Sequence, residues 1–283
     1  RIAKWLARAG VGSRRDCEAM IERGEISVDG RKLTTPAVKV TGKESIKVKG
    51  KRVTAPEPVR LWRYHKPSGL ITTTSDPAGR RTMFEELPKH LPRVMTIGRL
   101  DLTTEGLLLL TNDGELARAL ELPRNAFTRK YRARAHGRIT QDILDTLKEG
   151  VTVDGMEFAP IHAELERQTG TNSWIRVELS EGKKREVRRA LETLGLQVNR
   201  LIRTDYGPFE LADLTPGAVE EVSTAVIRRE LGHLIDMPEA EPQRAPRPSG
   251  KSHKSGKPGA VASRLHSRPQ KATTRGKGRK KTP

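Results

Sequence analysis

Apolar residues recur at helical spacing from the first residues of the chain: Ile2, Leu6 and Ala9 share one face, and Arg1, Lys4 and Arg8 fall on another. Gly10 and Gly12 stop that helix. Ser13 and Asp16 have capping-box spacing, so a second helix is predicted to run to Arg23, with Gly24 at its C-terminal end. Ile26 and Val28 then alternate toward Asp29-Gly30, a two-residue hairpin signal, and alternation returns from Val38 to Val53. Gly50, Pro56 and Pro58 break the pattern. Residues 1–49 therefore read as a small module of two helices and a small sheet, and 50–59 as a linker.

Leu61 to Tyr64 is a predicted strand, and Pro67 and Gly69 in His65-Lys66-Pro67-Ser68-Gly69 force a bend after it. Asp76-Pro77-Ala78-Gly79 places its residues where a type I turn favours them. Gly106 opens a run of four leucines that reads as a buried strand, and Asn112 with Glu115 has capping spacing for a helix through about Glu121. Asp101 then sits in a loop that feeds the core. If the backbone is extended from Arg99 to Asp101, the guanidinium lies beside the carboxylate, because residues two apart share a face. Strands and a few helices without a repeating strand-helix unit give an α+β body over 60–237. From 238 to 283 the pattern ends in Pro, Gly, Ser, Lys and Arg, the composition of a disordered basic tail.

Charge adds a partner to this outline. The chain has 54 Lys plus Arg against 35 Asp plus Glu, a formal charge of +19, which favours a polyanion. The tail from Glu239 carries 13 Lys or Arg against 2 Glu, a surplus of 11. No run approaches the ~18 apolar residues of a membrane-spanning helix, and the first 20 residues mix Lys4, Arg8, Arg14 and Arg15 through their apolar positions, unlike a signal peptide. With one cysteine, Cys17, no disulfide within the chain is possible. A cytoplasmic monomer is expected. No His, Cys or carboxylate cluster has metal spacing and no Gly-rich phosphate loop is present, so neither metal nor cofactor is expected.

The first 49 residues, with Arg14, Arg15, Arg31 and Lys32 placed for exposure, resemble the S-four type (alpha-L) RNA-binding domain, and Lys4 and Arg8 on the first helix extend that basic face. The ordered stretch Gly98-Arg99-Leu100-Asp101 through Gly114 resembles the central motif of the RsuA/RluB family of ribosomal RNA pseudouridine synthases. Arg129-Lys130-Tyr131 and the segment from Glu181 through Lys183-Lys184-Arg185 to Arg188-Arg189 agree in order and spacing. Leu194-Gly195, Leu201-Ile202-Arg203 and Tyr206-Gly207-Pro208 bring it nearer the RluB, large-subunit branch. Ala190 and the run Arg132-Ala133-Arg134-Ala135 depart from the usual pattern.

The resemblance implies a largely antiparallel, bifurcated sheet with flanking helices. It implies isomerisation of a specific uridine of 23S rRNA, free or in a large-subunit assembly intermediate, with Asp101 as the catalytic carboxylate. It also implies Tyr131 against the base, Arg188 paired with Asp101, and Arg99 either orienting Asp101 or filling the gap left by the flipped base. Lys183, Lys184 and Arg185 are then phosphate contacts. A small-subunit (16S) enzyme and a non-catalytic ribosome-assembly protein are the alternatives. The chemistry fits the residue types: uracil is detached from its ribose carbon, turned and rejoined through carbon 5, and a carboxylate is a suitable nucleophile. A base flipped into a closed pocket would surround Asp101 with a dry environment that raises its pKa by as much as ~3–5 units, so an opposing guanidinium is expected. Lys66 is a candidate phosphate contact, and His65 reads as a polar strand end.

Overall fold

The computed structural model describes residues 1–235; the basic tail expected from 238 onward lies outside the described residues. The N-terminal part opens with α1 (Ile2–Arg8) and α2 (Arg14–Glu22), followed by β1 (Ile26–Val28), β2 (Arg31–Lys32), β3 (Ile46–Val48) and β4 (Lys51–Arg52). The capping box forms: Ser13 Oγ accepts from the Asp16 amide at 3.1 Å and the Asp16 carboxylate accepts from the Ser13 amide at 2.8 Å. Asp29 and Gly30 both take positive φ, as a type I′ hairpin between β1 and β2 requires. Ile2, Leu6, Cys17, Ile21, Ile26 and Ile46 close one small core.

The alternation from Val38 to Val53 yields strand only at its end. Residues 41–44 curl instead around the Glu44 carboxylate, which accepts from the amides of Thr41 and Gly42 at 2.8–3.1 Å. Those bonds hold Glu44 at a pKa of about 2 and use donors that a ladder would need. β4 pairs with β3 in the small sheet, so the stretch expected as a linker contributes a strand to this module.

The body has a sheet ordered β11-β12-β8-β13-β7-β5-β15. Its strands are β5 (Leu61–Lys66), β6 (Met95–Ile97), β7 (Thr104–Thr111), β8 (Arg129–His136), β9 (Val151–Val153), β10 (Met156–Phe158), β11 (His162–Thr169), β12 (Asn172–Leu179), β13 (Gln197–Tyr206), β14 (Phe209–Glu210) and β15 (Val219–Val222), of which β9 and β10 form a separate hairpin. The α-helices are α3 (Met83–Glu86), α4 (Gly114–Glu121), α5 (Gln141–Asp145), α6 (Glu186–Thr193) and α7 (Thr224–Leu231). Among the described residues every pairing of these strands is antiparallel except β7 with β13, which run parallel over Thr104–Gly106 and Leu201–Arg203.

Strand β7 is where the sheet forks. One edge pairs with β5 from Gly106 to Thr111, while the other serves β13 at its start and β6 from Leu109 to Thr111. This double duty explains the leucine run. Leu108 and Leu110 join the core of Trp62, Tyr64, Tyr131 and Leu201, and Leu107 and Leu109 join that of Leu61, Ile97, Leu116 and Tyr206. Burying each such side chain contributes roughly 1.5–3 kcal/mol. Gly106 stands at the fork with φ of +104°, and an added Cβ would lie 2.7 Å from the backbone nitrogen of Arg203. Only glycine allows β13 this close.

Helix α4 is capped by Asp113, not by the expected Asn112: the Asp113 carboxylate accepts from the amides of Glu115 and Leu116 at 2.8 and 3.0 Å. Asn112 instead accepts from the Arg60 amide at 2.8 Å and donates to Pro58 O at 2.9 Å, fastening the chain that enters β5.

Candidate active site

Asp101 occupies the turn that leads into β7, where the Thr104 amide donates to Asp101 O at 3.0 Å. The main chain of this turn is held from several sides. Thr72 Oγ1 donates to Leu100 O at 2.8 Å, the Gly69 amide donates to Leu102 O at 2.8 Å, and Arg188 Nη2 donates to Thr103 O at 3.2 Å and Thr103 Oγ1 at 3.1 Å. Beneath it lies Lys66. Its ammonium, fully buried, donates to the carbonyls of Pro67, Asp101 and Thr104 at 3.0, 3.2 and 2.9 Å, with Leu102 O at 3.5 Å.

Burial lowers the Lys66 pKa to about 8, against the smaller opposing pull of Asp101 and Glu105. Lys66 is thus a clamp on the loop backbone and not the surface phosphate contact that the sequence suggested. The signal was present in the strand: Trp62, Tyr64 and Lys66 are two apart, so the lysine follows two aromatics onto a core face.

The Asp101 side chain, by contrast, is exposed, and among the described residues its carboxylate has no hydrogen bond or ion pair. It opens on a cleft of about 1040 Å³ that Tyr131, Arg99, Leu201, Arg203 and the segment 182–187 also line. The expected Arg99–Asp101 contact is not among the ion pairs of the described residues: both side chains are exposed, with buried Leu100 between them, on a segment outside any strand. Nor does Arg188 pair with Asp101 within 4.0 Å. Its guanidinium is buried, with Nη1 donating to Val198 O at 2.8 Å as well as Nη2 to Thr103. Burial, then Arg185, lowers the Arg188 pKa, while Asp101 raises it through space. Asp101 is exposed on this cleft in the protein alone; the dry surroundings expected for it are those of the cleft with a flipped base in place.

Tyr131 is 8% exposed on β8 and faces the cleft. Opposite it on β13, Arg203 is buried, with Nε donating to Leu107 O at 2.7 Å and one terminal nitrogen unpartnered. In the sequence Arg203 stands out only as part of the Leu201-Ile202-Arg203 motif. Of the basic cluster, Lys183 is engaged with Glu157 O at 2.6 Å and the Glu181 carboxylate at 2.8 Å, whereas Lys184 and Arg185 are exposed on the cleft rim. Glu186, beneath them, is buried, and burial raises its pKa.

On the small domain Arg15, Arg31 and Lys32 are exposed and without ion-pair partners among the described residues, and Arg14 pairs with Glu18 at 3.0 Å. Lys4 and Arg8 differ. They turn to the body, Lys4 meeting Glu115 and Arg8 Nε lying 2.9 Å from the buried carboxylate of Asp113, so the structure uses them on a protein contact rather than on an RNA face.

Comparison with known proteins accounts for both parts. Residues 60–193 match the family described as RNA pseudouridylate synthase, and residues 1–46 match the S4 domain. An uncharacterized RNA pseudouridine synthase of Rickettsia felis is 45% identical over 81% of this chain and 99% of its own length. The ribosomal large subunit pseudouridine synthase B of Salmonella typhimurium is 40% identical over 84% of each chain. A crystal structure of a pseudouridylate synthase superposes with a TM-score of 0.57 over 82% of this chain and 99% of its own, at 22% identity, sharing the fold.

Proposed function

The chain belongs to the RsuA/RluB family of RNA pseudouridine synthases, and on that premise we propose that it isomerises a uridine of large-subunit ribosomal RNA with Asp101 as the reacting carboxylate. The observation that carries the reading is the contrast within one turn: the backbone from Leu100 to Thr104 is fastened at every residue, and the one carboxylate it presents is free in the cleft. Such a carboxylate is pre-positioned without being neutralised. The large-subunit assignment is supported by the Salmonella relative, named for that subunit.

In the reaction the N1–C1′ glycosidic bond breaks, the uracil turns, a C5–C1′ bond forms, and the C5 hydrogen leaves as a proton while N1 gains one; atoms and electrons balance without a redox partner. Asp101 serves as nucleophile, either at carbon 6 of the ring or at carbon 1 of the sugar. Tyr131 offers the flipped base a stacking surface, worth roughly 1–3 kcal/mol per base. Arg99 at the mouth takes the space left in the RNA, and Lys184 and Arg185 take flanking phosphates. Arg188 acts first on the loop, through Thr103, and its charge opposes the desolvation of Asp101 once RNA covers the cleft.

The test is to map pseudouridine in both ribosomal RNAs from cells lacking the gene and from cells complemented with wild type or Asp101→Asn. One large-subunit position should lose the modification and regain it only with the wild type. Loss of a small-subunit site, or restoration by Asp101→Asn, overturns the proposal. In vitro, Asp101→Asn should lower single-turnover rates at least ~10³-fold, as removal of a nucleophile does, with RNA affinity within a few-fold.

A further inference from the structure

The sheet half formed by β11, β12, β8 and β13 has a second face. On β8, Tyr131, Ala133 and Ala135 are buried on the cleft side, so Arg132 and Arg134 between them point the opposite way. Registers across four strands put Arg200, Arg134, Trp174 and Arg167 directly opposite one another in one row. Neighbours in such a row have Cβ atoms about 4.5–5.5 Å apart, and like charges set side by side destabilise a sheet.

Most cations of this face are neutralised within the protein. Arg200 pairs with Glu105 at 2.7 Å, Arg132 with Glu166 at 2.6 Å, and Arg176 with Glu164 at 2.8 Å. Arg134 and Arg167 have no carboxylate partner among the described residues. These two exposed guanidinium groups flank Trp174, and with Asn172 and Thr169 they line a concavity of about 360 Å³. Arg132 lies over the indole, 4.4 Å from its ring centre to the guanidinium carbon.

We infer that this row is a second RNA contact, which holds an unpaired nucleotide of the substrate RNA away from the target uridine. The indole supplies a stacking surface, Arg134 and Arg167 supply charge for the phosphates on either side, and the Asn172 carboxamide offers both a donor and an acceptor to a base edge. The inference rests on the reading of the chain as an enzyme of long ribosomal RNA, for which a grip outside the reacting loop has a use. It explains why uncompensated arginines are tolerated beside a half-buried tryptophan on a face that takes no part in the cleft.

The experiment uses the full chain and two probes. The first is a fluorescein-labelled oligoadenylate of about a dozen nucleotides, which has no uridine to react. Arg134→Gln/Arg167→Gln and Trp174→Ala should each weaken its binding about tenfold, a change expected for a lost stacked base or two lost phosphate contacts. Trp174→Phe should stay within about twofold, and the double arginine variant should lower the slope of log affinity against log salt by about 1.4, at ~0.7 per phosphate of a single strand. The second probe is single-turnover conversion of a large-subunit rRNA transcript at saturating enzyme, which should be unchanged in every variant. Wild-type affinity and slope in the variants overturn the inference. So does an equal loss of saturated turnover, which would make the row structural, and so does an effect confined to protein-containing particles, which would give the surface to a protein. A wild-type enzyme that modifies no transcript would instead fail the functional reading, while the oligoadenylate result is read separately.

Discussion

Lysines and arginines serve two opposite purposes in the two parts of this molecule. Beneath the Asp101 turn two of them, Lys66 and Arg188, are buried and face main-chain carbonyls: Lys66 meets those of Pro67, Asp101 and Thr104, and Arg188 those of Val198 and Thr103. On the small domain Arg15, Arg31 and Lys32 are exposed and have no ion-pair partner among the described residues. A buried cation without a carboxylate becomes a multidentate clamp, because each carbonyl dipole it meets replaces part of its lost hydration. An exposed one keeps its hydration and its freedom, and is available to a polyanion. Removing a clamp should therefore damage catalysis, and removing an exposed charge should only weaken capture.

The largest expected break comes from Lys66→Met, which leaves carbonyls of the loop buried without donors at about 1–3 kcal/mol each. Turnover should fall about 100-fold with KM little changed, and steady-state kinetics on an rRNA transcript check it. The pH dependence sharpens the same point. The Lys66 pKa of about 8 is below the 10.5 of a free lysine, so between these values the unfolded chain binds more protons than the folded one. The penalty for burying the ammonium is fully present below pH 8 and is relieved as pH rises toward 10.5. Wild-type stability relative to Lys66→Met should accordingly climb across that window in chemical denaturation, while wild-type turnover declines as the clamp loses a donor. A constant difference between the two proteins from pH 7 to 10.5 removes the titration from Lys66.

Arg188→Lys comes next. It keeps the charge but cannot span Val198 and Thr103 with one planar group, so a loss of roughly tenfold in kcat, together with increased hydrogen exchange at the Thr103 and Thr104 amides, is expected. Full activity in this variant would mean that charge alone matters. On the other side of the comparison, replacing Arg15, Arg31 and Lys32 together by Gln should move stability by less than about 0.5 kcal/mol and lower the salt slope of RNA binding by about 2, at ~0.7–0.9 per phosphate. A large drop in Tm, or an unchanged salt slope, contradicts the division.

What could be read from the sequence divides along the same line. The capping box at Ser13, the Asp29-Gly30 hairpin and the leucine run of β7 depend on local chemistry, and all three form. Asp113 displaced Asn112 as the cap of α4 because Asn112 is used on Pro58 and Arg60, more than 50 positions away, and no spacing rule sees such a partner. The Lys66 clamp and the unformed Arg188–Asp101 pair have the same origin. Both depend on which carbonyls tertiary folding brings within reach, and a motif specifies the residue type without specifying the atom it will touch.

The smallest effect, and the one that joins the two regions, is at the contact between α1 and the start of α4. Arg8 retains 31% of its side-chain exposure and Asp113 only 4%, whereas the neighbouring pair Lys4–Glu115 is open on both sides, at 47% and 61%. An ion pair with one partner buried is less screened than one held in water, but no hydrogen bond is aligned between the Arg8 Nε–H and Asp113. Asp113→Asn alone mixes two losses, since the same carboxylate caps α4. A double-mutant cycle of Arg8→Ala with Asp113→Asn isolates the pair, and a coupling of about 0.5–1 kcal/mol is expected, fading but not vanishing at 1 M salt. The cycle of Lys4→Ala with Glu115→Ala should give about 0–0.5 kcal/mol and disappear at that salt. Equal couplings would mean that burial of Asp113 adds nothing, and zero coupling at both sites would mean that the small domain is not fastened to the body through these charges.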